Sequence, residues 1–251
     1  MLLRLAERAL PATERRSRPK PEREQQFDSQ VRADGFAIVE RVFDHDEIDS
    51  ISQALNSTPL ARSRAGARHA MRNRVVAELA RARRLLHLAR SVLGPDALPY
   101  RATLFEKLPT SNWLVVWHQD TALPLCQRAE RAGWGPWSVK DGVIYAHAPM
   151  SALNRVLAIR VHLDDSTPSN GPLRVLPGTH RHGVLSDEAI SSLTRESEPV
   201  ECLVPRGGVL AMRPLLVHAS SKSRSGAWRR VLHIEYAASM QIEAGLELAL
   251  A

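Results

Sequence analysis

From Tyr100 onward the chain is a succession of short apolar or alternating stretches: "YRATLFEKL", "WLVVWH", "VIYAHA", "VLAIRVHL", "PLRVLP", "VECLVP", "GVLAMR", "LLVHAS" and "WRRVLHIEYA". Turn residues separate many of them, in "TPSNG", "PGTHRHG", "PRGG" and "SKSRSG". Glycine supplies positive φ and proline fixes negative φ, so these clusters punctuate strands. Many short strands with such turns specify a sandwich or barrel. At 251 residues the chain is long enough for one such core.

The N-terminal third reads differently. Residues 12–26, "ATERRSRPKPEREQQ", are polar and contain prolines without an apolar period. They predict a disordered basic lead-in over residues 1–26, with a single domain over 27–251. "GFAIVERVF" predicts a short strand, and Asp44 with Glu47 has the spacing of a helix capping box. Ile48, Ile51 and Leu55 then share one helical face. A second helical region over about 70–93 carries Val75, Val76, Leu79, Leu85, Leu86, Leu88, Val92 and Leu93 before Gly94-Pro95 ends it. The expected fold is therefore mainly β, with N-terminal α-helices packed outside a jelly roll: a cupin-like double-stranded β-helix.

The formal charge of +7 is unevenly placed, with nine arginines and a single acid, Glu78, between Arg62 and Arg90. Such a stretch can meet phosphate groups, but a solvated helix face is the preferred reading, and nucleic acid is not an expected partner. Cys126 and Cys202 are too few for a disulfide framework and lack a C-x-x-C spacing, which fits a reducing cytosol. The opening "MLLRLAERAL" places Arg4, Glu7 and Arg8 where a signal peptide needs an uncharged core. Glu14, Glu22 and Glu24 argue against a transit peptide, and no apolar run approaches the roughly 18 residues of a membrane span. A cytoplasmic location is expected.

The chemistry begins in "VVWHQDTALPL", residues 115–125. In an extended strand, residues i and i+2 project to one face, so His118 and Asp120 point the same way. "LLVHASS" ends another strand at His218, about a hundred residues later. Together they would make a 2-His-1-carboxylate set, which holds iron(II) while leaving positions open. Neither half is specific alone.

"WHQD", "LDDSTPSNGPLRVLPGTHRHG" and "LLVHASSKSRSGAWRRVLHIEY", preceded by "DGFAIVERVFDHDEI", resemble the phytanoyl-CoA dioxygenase family of iron(II)/2-oxoglutarate oxygenases in order and spacing. The resemblance runs from about Phe27 to Tyr236. It implies that His118, Asp120 and His218 ligate iron(II). It also implies that Arg229, eleven residues after His218, salt-bridges the far carboxylate of 2-oxoglutarate, a task suited to a planar guanidinium fork. Arg230 is the rival. Strand parity groups Arg230 with Trp228, Leu232, Ile234 and Tyr236, as if packing on helices, and Arg229 with Val231, His233 and Glu235. That second, polar line suits a pocket wall or solvent equally. Ser220 and Lys107 match family positions at the same co-substrate pocket.

His147, His162, His180, His182 and His233 remain spare, with a structural hydrogen bond expected for His180 in its "PGTH" turn. Asp164 and Asp165 are expected to cap or bond the following turn. Substrate contacts are sought in the long insertion over 121–142, with Trp134 and Trp137, and at Arg160. The resemblance implies a hydroxylase that consumes dioxygen and 2-oxoglutarate, releases succinate and carbon dioxide, and acts on a small organic molecule. Related halogenases lack the carboxylate ligand, so Asp120 points to hydroxylation. Three alternatives stay open: a cupin-type metal enzyme that does not use 2-oxoglutarate, a non-catalytic binding protein on the same fold, and a nucleic-acid-directed oxygenase that uses the arginine-rich stretch, whose binding would weaken steeply with added salt.

Overall fold

Helical structure begins earlier than the proline-rich composition suggests. The computed structural model describes residues 21–251 apart from 58, 59, 61, 64, 65 and 109, and helix α1 spans Pro21–Asp34. The expected disordered lead-in thus stops short of Pro21, and its remainder, residues 1–20, lies outside the described residues. Phe27 and Val31, one helical turn apart, bury themselves in the main core and hold the helix down. The helix ends at Gly35, whose φ of +83° suits glycine and whose Cα lies against the His180 ring.

The N-terminal third continues with β1 (Phe36–Val39), α2 (His45–Ser57), the paired β2 (Arg62–Ser63) and β3 (Gly66–Ala67), α3 (Arg74–Ala80) and α4 (Arg83–Leu93). The capping box is present: the Glu47 amide donates to Asp44 Oδ1 at 2.8 Å and the Asp44 amide to Glu47 Oε2 at 2.9 Å. Ile48, Ile51 and Leu55 are buried as their spacing requires. The expected helical region over 70–93 is interrupted. A 3₁₀ turn over Ala70–Arg72 precedes Asn73, whose side chain caps α3, and the chain breaks again at Arg81 and Ala82. Arg68, Arg72, Arg74, Arg81, Arg83, Arg84 and Arg90 of the basic stretch are exposed, and Arg74 pairs with Glu78 at 2.7 Å.

Next come β4 (Leu98–Lys107), β5 (Val115–His118), β6 (Ala122–Leu125), β7 (Trp137–Lys140), β8 (Val143–His147), α5 (Met150–Leu153), β9 (Val156–His162) and β10 (Leu173–Val175). They are followed by α6 (Asp187–Glu196), β11 (Val200–Cys202), β12 (Val209–Met212), β13 (His218–Ser220), β14 (Arg229–Ala237), β15 (Gln241–Glu243) and β16 (Leu246–Glu247). Among the described residues, the major sheet runs β1-β12-β9-β14-β4-β3-β2 and the minor sheet β11-β10-β13-β5. All the recorded pairings are antiparallel. This is the jelly roll that the strand pattern implied.

Alternation sorts the major sheet into two faces. Leu157, Ile159, Val161, Leu232, Ile234 and Tyr236 join the helices in one core. The Tyr236 hydroxyl also donates to the last carbonyl of α3, at Ala80, over 2.8 Å. Opposite them, Ala158, Leu210 and Met212 pack with Leu173, Val175 and Cys202 of the minor sheet. The interior also receives the polar members of β4, β9 and β14.

Residues 121–142 are more ordered than a long loop. β6 and β7 flank β8 in a three-stranded sheet, and Trp134 is buried with its indole donating to Glu243 Oε2 at 2.9 Å. That tryptophan is spent on packing rather than offered to a substrate. Its neighbours Leu123, Leu125, Leu246 and Leu248 bind this sheet to the C-terminal tail.

Candidate active site

β5 and β13 lie side by side in the minor sheet with His118 directly opposite His218, their rings 4.3 Å apart. Two residues beyond β5, the Asp120 amide donates to the Pro214 carbonyl at 2.9 Å, which turns its carboxylate back toward both rings. Asp120 Oδ1 is 3.6 Å from His118 Nε2, and Oδ2 is 3.6 Å from His218 Nε2. Each imidazole is oriented from behind: His118 Nδ1 bonds the Val116 carbonyl and His218 Nδ1 the Leu216 carbonyl, both at 2.8 Å. A carbonyl only accepts, so both Nδ1 atoms carry protons and both Nε2 lone pairs face the carboxylate.

The electrostatics suit a cation at that point. Burial pulls the His218 imidazole down to about 4, so it is neutral at ordinary pH. Burial pushes the Asp120 carboxyl up, but His218 and His118 outweigh it and hold the group well below the usual carboxylate range. The three ligand atoms lie within 4.8 Å of one another. Burial lowers the His118 imidazole, but Asp120 outweighs it and raises the group above its ordinary value, the attraction that a bound cation would replace. Two nitrogen donors and one carboxylate converging at one point are a set that fits iron(II).

On the same face of β13, two residues past His218, sits Ser220. It is the hub of a second cluster. Lys107 Nζ donates to Ser220 Oγ at 2.7 Å and to the Ser221 carbonyl. Arg229 Nη2 reaches the same hydroxyl at 3.3 Å, and its Nε points to the Asn170 carbonyl at 3.3 Å. Ser220 Oγ in turn donates to the Gly171 carbonyl at 2.9 Å. Lys107, Ser220 and Arg229 are 1%, 3% and 3% exposed, yet neither cation has a carboxylate partner among the described residues. Burial, with Arg229 and Arg160 nearby, lowers Lys107 to about 7; burial and Arg160 lower Arg229 to about 9. The structure therefore places in these two clusters all six residues expected to hold iron and 2-oxoglutarate.

Arg230 faces the other way. It forms a two-pronged pair with Asp164, Nε to Oδ2 at 2.9 Å and Nη2 to Oδ1 at 2.7 Å. Asp164 is thus an ion-pair partner rather than a turn residue, and the Asp165 carboxylate accepts from the distant Arg206 amide at 2.7 Å while only its backbone carbonyl bonds the following turn, accepting from Asn170 Nδ2 at 2.7 Å. The Arg229 line is interior, since Val231, His233 and Glu235 are all buried. His180 makes its structural bond, to the Arg32 carbonyl at 3.2 Å.

Sequence reasoning passed over Asn170, Gly171 and Trp113. The first two form a turn that closes on Arg229 and Ser220, and the Trp113 ring lies 5.2 Å from Lys107 Nζ. It also passed over Arg101 and Tyr100, which serve the buried Glu235: Arg101 Nε lies 3.1 Å from Glu235 Oε2, and the Tyr100 hydroxyl 3.5 Å from Oε1. Parity along β4, counted back from Lys107, was the signal that put Arg101 inside.

The chain resembles known proteins in sequence and in fold. The chain is 29% identical over 188 residues to L-proline trans-4-hydroxylase of Streptomyces griseoviridis, covering 64% of this chain and 62% of that protein. It is 29% identical over 149 residues to ectoine dioxygenase of Sphingopyxis alaskensis, covering 55% of this chain and 42% of that one. The chain thus spans less than two thirds of these relatives' length. The crystal structure of EctD from S. alaskensis with 2-oxoglutarate and 5-hydroxyectoine shares the fold. Its TM-score is 0.64 at 21% identity, over 84% of this chain and 75% of that one. No helix among the described residues is long and apolar enough to cross a membrane. The phytanoyl-CoA dioxygenase (PhyH) family model matches residues 31–231, which take in both site clusters, and the chain belongs to that family.

Proposed function

We propose that this protein is an iron(II)- and 2-oxoglutarate-dependent oxygenase that hydroxylates a small organic molecule with dioxygen, releasing succinate and carbon dioxide. The observation that carries the reading is the pairing on β13. His218, in a converging donor set, and Ser220, in an acid-free cationic pocket, share one face of a three-residue strand.

Each side chain then has a task. His118, Asp120 and His218 hold iron(II) from one side, with their Nδ1 bonds fixing the imidazoles so that little reorganisation accompanies binding. Arg229 presents its fork to the far carboxylate of 2-oxoglutarate, Ser220 adds a hydroxyl, and Lys107 adds a point charge. Bound iron(II) supplies the oxygen-activating redox chemistry, coupled to decarboxylation of 2-oxoglutarate. The His118 and Asp120 side chains stay 37% and 38% exposed, which leaves the donor set open to dioxygen and substrate. Asp120 fills the place that a halide takes in related halogenases, which supports hydroxylation.

The acid-free pocket around Arg229 favours this reading over a metal enzyme that ignores 2-oxoglutarate, because such an enzyme has no use for two uncompensated buried cations. The relatives that hydroxylate proline and ectoine support a small polar substrate. Residues 27–251 act on this reading as a single catalytic domain. A cytoplasmic location is supported by the free cysteines Cys126 and Cys202. The test is anaerobic formation of the visible iron–2-oxoglutarate charge-transfer band, followed by substrate-dependent succinate release. Failure of 2-oxoglutarate to bind the iron-loaded protein would overturn the proposal.

A further inference from the structure

A third cation stands inside the barrel, apart from Lys107 and Arg229. On β9, Leu157, Ile159 and Val161 face the helices, so Arg160 and His162 turn inward. Arg160 is 6% exposed. Its cross-strand neighbour on β14 is His233, and Arg160 Nη1 donates to His233 Nδ1 at 3.0 Å. Its guanidinium carbon lies 5.4 Å from the Phe105 ring centre. Neither neighbour can neutralise it, because burial and Arg160 itself hold the His233 imidazole well below its ordinary range. Arg160 is itself lowered by burial to about 10, so it stays charged at neutral pH.

Bonding is incomplete here. Among the described residues, Arg160 Nε and both ring nitrogens of His162, which is 2% exposed, have no hydrogen-bond partner. Buried polar atoms are rarely left so, and a cluster of them beside a charge marks a place where a polar ligand finishes the network. Charge balance points the same way. With 2-oxoglutarate bound, iron(II), Arg229, Lys107 and Arg160 carry five positive charges against three on Asp120 and the dianion, so the interior around Arg160 keeps a positive excess that Asp120, the acid acting on it, does not balance.

We propose that Arg160 is the anchor for an anionic group of the substrate: the molecule oxidised here carries a carboxylate, or a group of equal charge, that docks on the Arg160 guanidinium. This rests on the oxygenase reading above. Arg160 then selects among substrates, with His233 steering the fork, while Arg229 keeps the co-substrate.

Formate is a suitable probe, since it presents a carboxylate and almost nothing else. Thermal unfolding would be followed anaerobically on the iron-loaded full chain saturated with 2-oxoglutarate, for wild type, Arg160→Gln and Arg160→Met. The methionine variant keeps an unbranched apolar stem in the same place and serves if the glutamine variant does not fold. At a roughly fivefold excess over its Kd, formate should raise the wild-type midpoint by about 2–4 °C. It should leave both variants unmoved, while their 2-oxoglutarate affinity stays within about threefold of wild type. Three outcomes overturn the proposal: no formate shift in wild type, a shift that survives in the variants and so reports ligation of the metal, or a shift that 2-oxoglutarate abolishes together with about tenfold weaker 2-oxoglutarate binding by the variants. The last assigns Arg160 to the co-substrate's own carboxylate. If wild type fails to bind 2-oxoglutarate at all, it is the oxygenase reading that fails.

Discussion

Lys107 and Arg229 lie directly opposite each other in the β4–β14 ladder and converge on one acceptor, the Ser220 hydroxyl. Two buried cations on adjacent strands repel, and their only described partners are neutral oxygens and the Trp113 ring. The desolvation cost of this arrangement is offset when a dianion binds.

Arg229→Gln should therefore weaken 2-oxoglutarate binding by about 2–5 kcal/mol, roughly thirtyfold to several thousandfold, because it removes one partner of a buried charge-assisted pair. Ser220→Ala should cost about 1.5–3 kcal/mol, the range for one hydrogen bond to a charged group. Calorimetric titration of the iron-loaded protein, kept anaerobic, measures both. Equal affinities for wild type and Arg229→Gln would place the co-substrate elsewhere.

Lys107 makes the pocket sensitive to pH. Its folded value is depressed to about 7 from 10.5. Between those values the unfolded chain binds a proton that the folded chain does not, so stability rises with pH across that window. The penalty is fully present below about pH 7 and is gone above the unfolded value. Lys107→Met should flatten this part of the apoprotein's stability–pH curve relative to wild type. Binding of 2-oxoglutarate favours the charged amine, so affinity should fall above about pH 7, with proton uptake visible as a buffer-dependent binding enthalpy. An unchanged binding enthalpy across buffers would count against Lys107 as a carboxylate partner.

Gly171 holds the turn that closes the pocket. Its φ is +70°, and an added Cβ would run into the Ser221 carbonyl and approach Lys107 Nζ at 3.1 Å. Gly171→Ala should destabilise the fold by about 1–3 kcal/mol and weaken 2-oxoglutarate binding at the same time. Metal binding should be nearly unaffected, because His118, Asp120 and His218 belong to other segments. Chemical unfolding and an iron titration separate the effects.

Away from the site, Asp44→Ala removes the capping box at the start of α2. A loss of about 1 kcal/mol is expected, seen as a midpoint lower by about 2–4 °C, with 2-oxoglutarate affinity unchanged. A drop in affinity would mean that α2 reaches the pocket in some way its packing does not suggest.

What the sequence made legible follows from periodicity and local chemistry. The period-2 pattern of "LAIRVHL" and "WRRVLHIEYA" carried the two faces of β9 and β14, and with them the separation of Arg229 from Arg230. The capping box of α2 depends on two residues three apart, and the structure contains it as read. Features built from distant partners were hidden. Asp164 meets Arg230 across 66 positions, and nothing local marks that pairing. The helix over Pro21–Asp34 has a polar sequence and exists because Phe27 and Val31 find a core made elsewhere. β6 and β7 are short and separated by a polar stretch, so their pairing with β8 was not visible as strand periodicity. The missing counter-charge of Arg160 is a property of the assembled interior alone.

The most direct measurement is an anaerobic titration of the apoprotein with iron(II) and 2-oxoglutarate, following the visible charge-transfer band in wild type, Asp120→Ala and Arg229→Ala. The expected result is a saturable band in wild type, no band in Asp120→Ala, and a band in Arg229→Ala that needs far more 2-oxoglutarate. Metal binding without any band in wild type would contradict the oxygenase assignment.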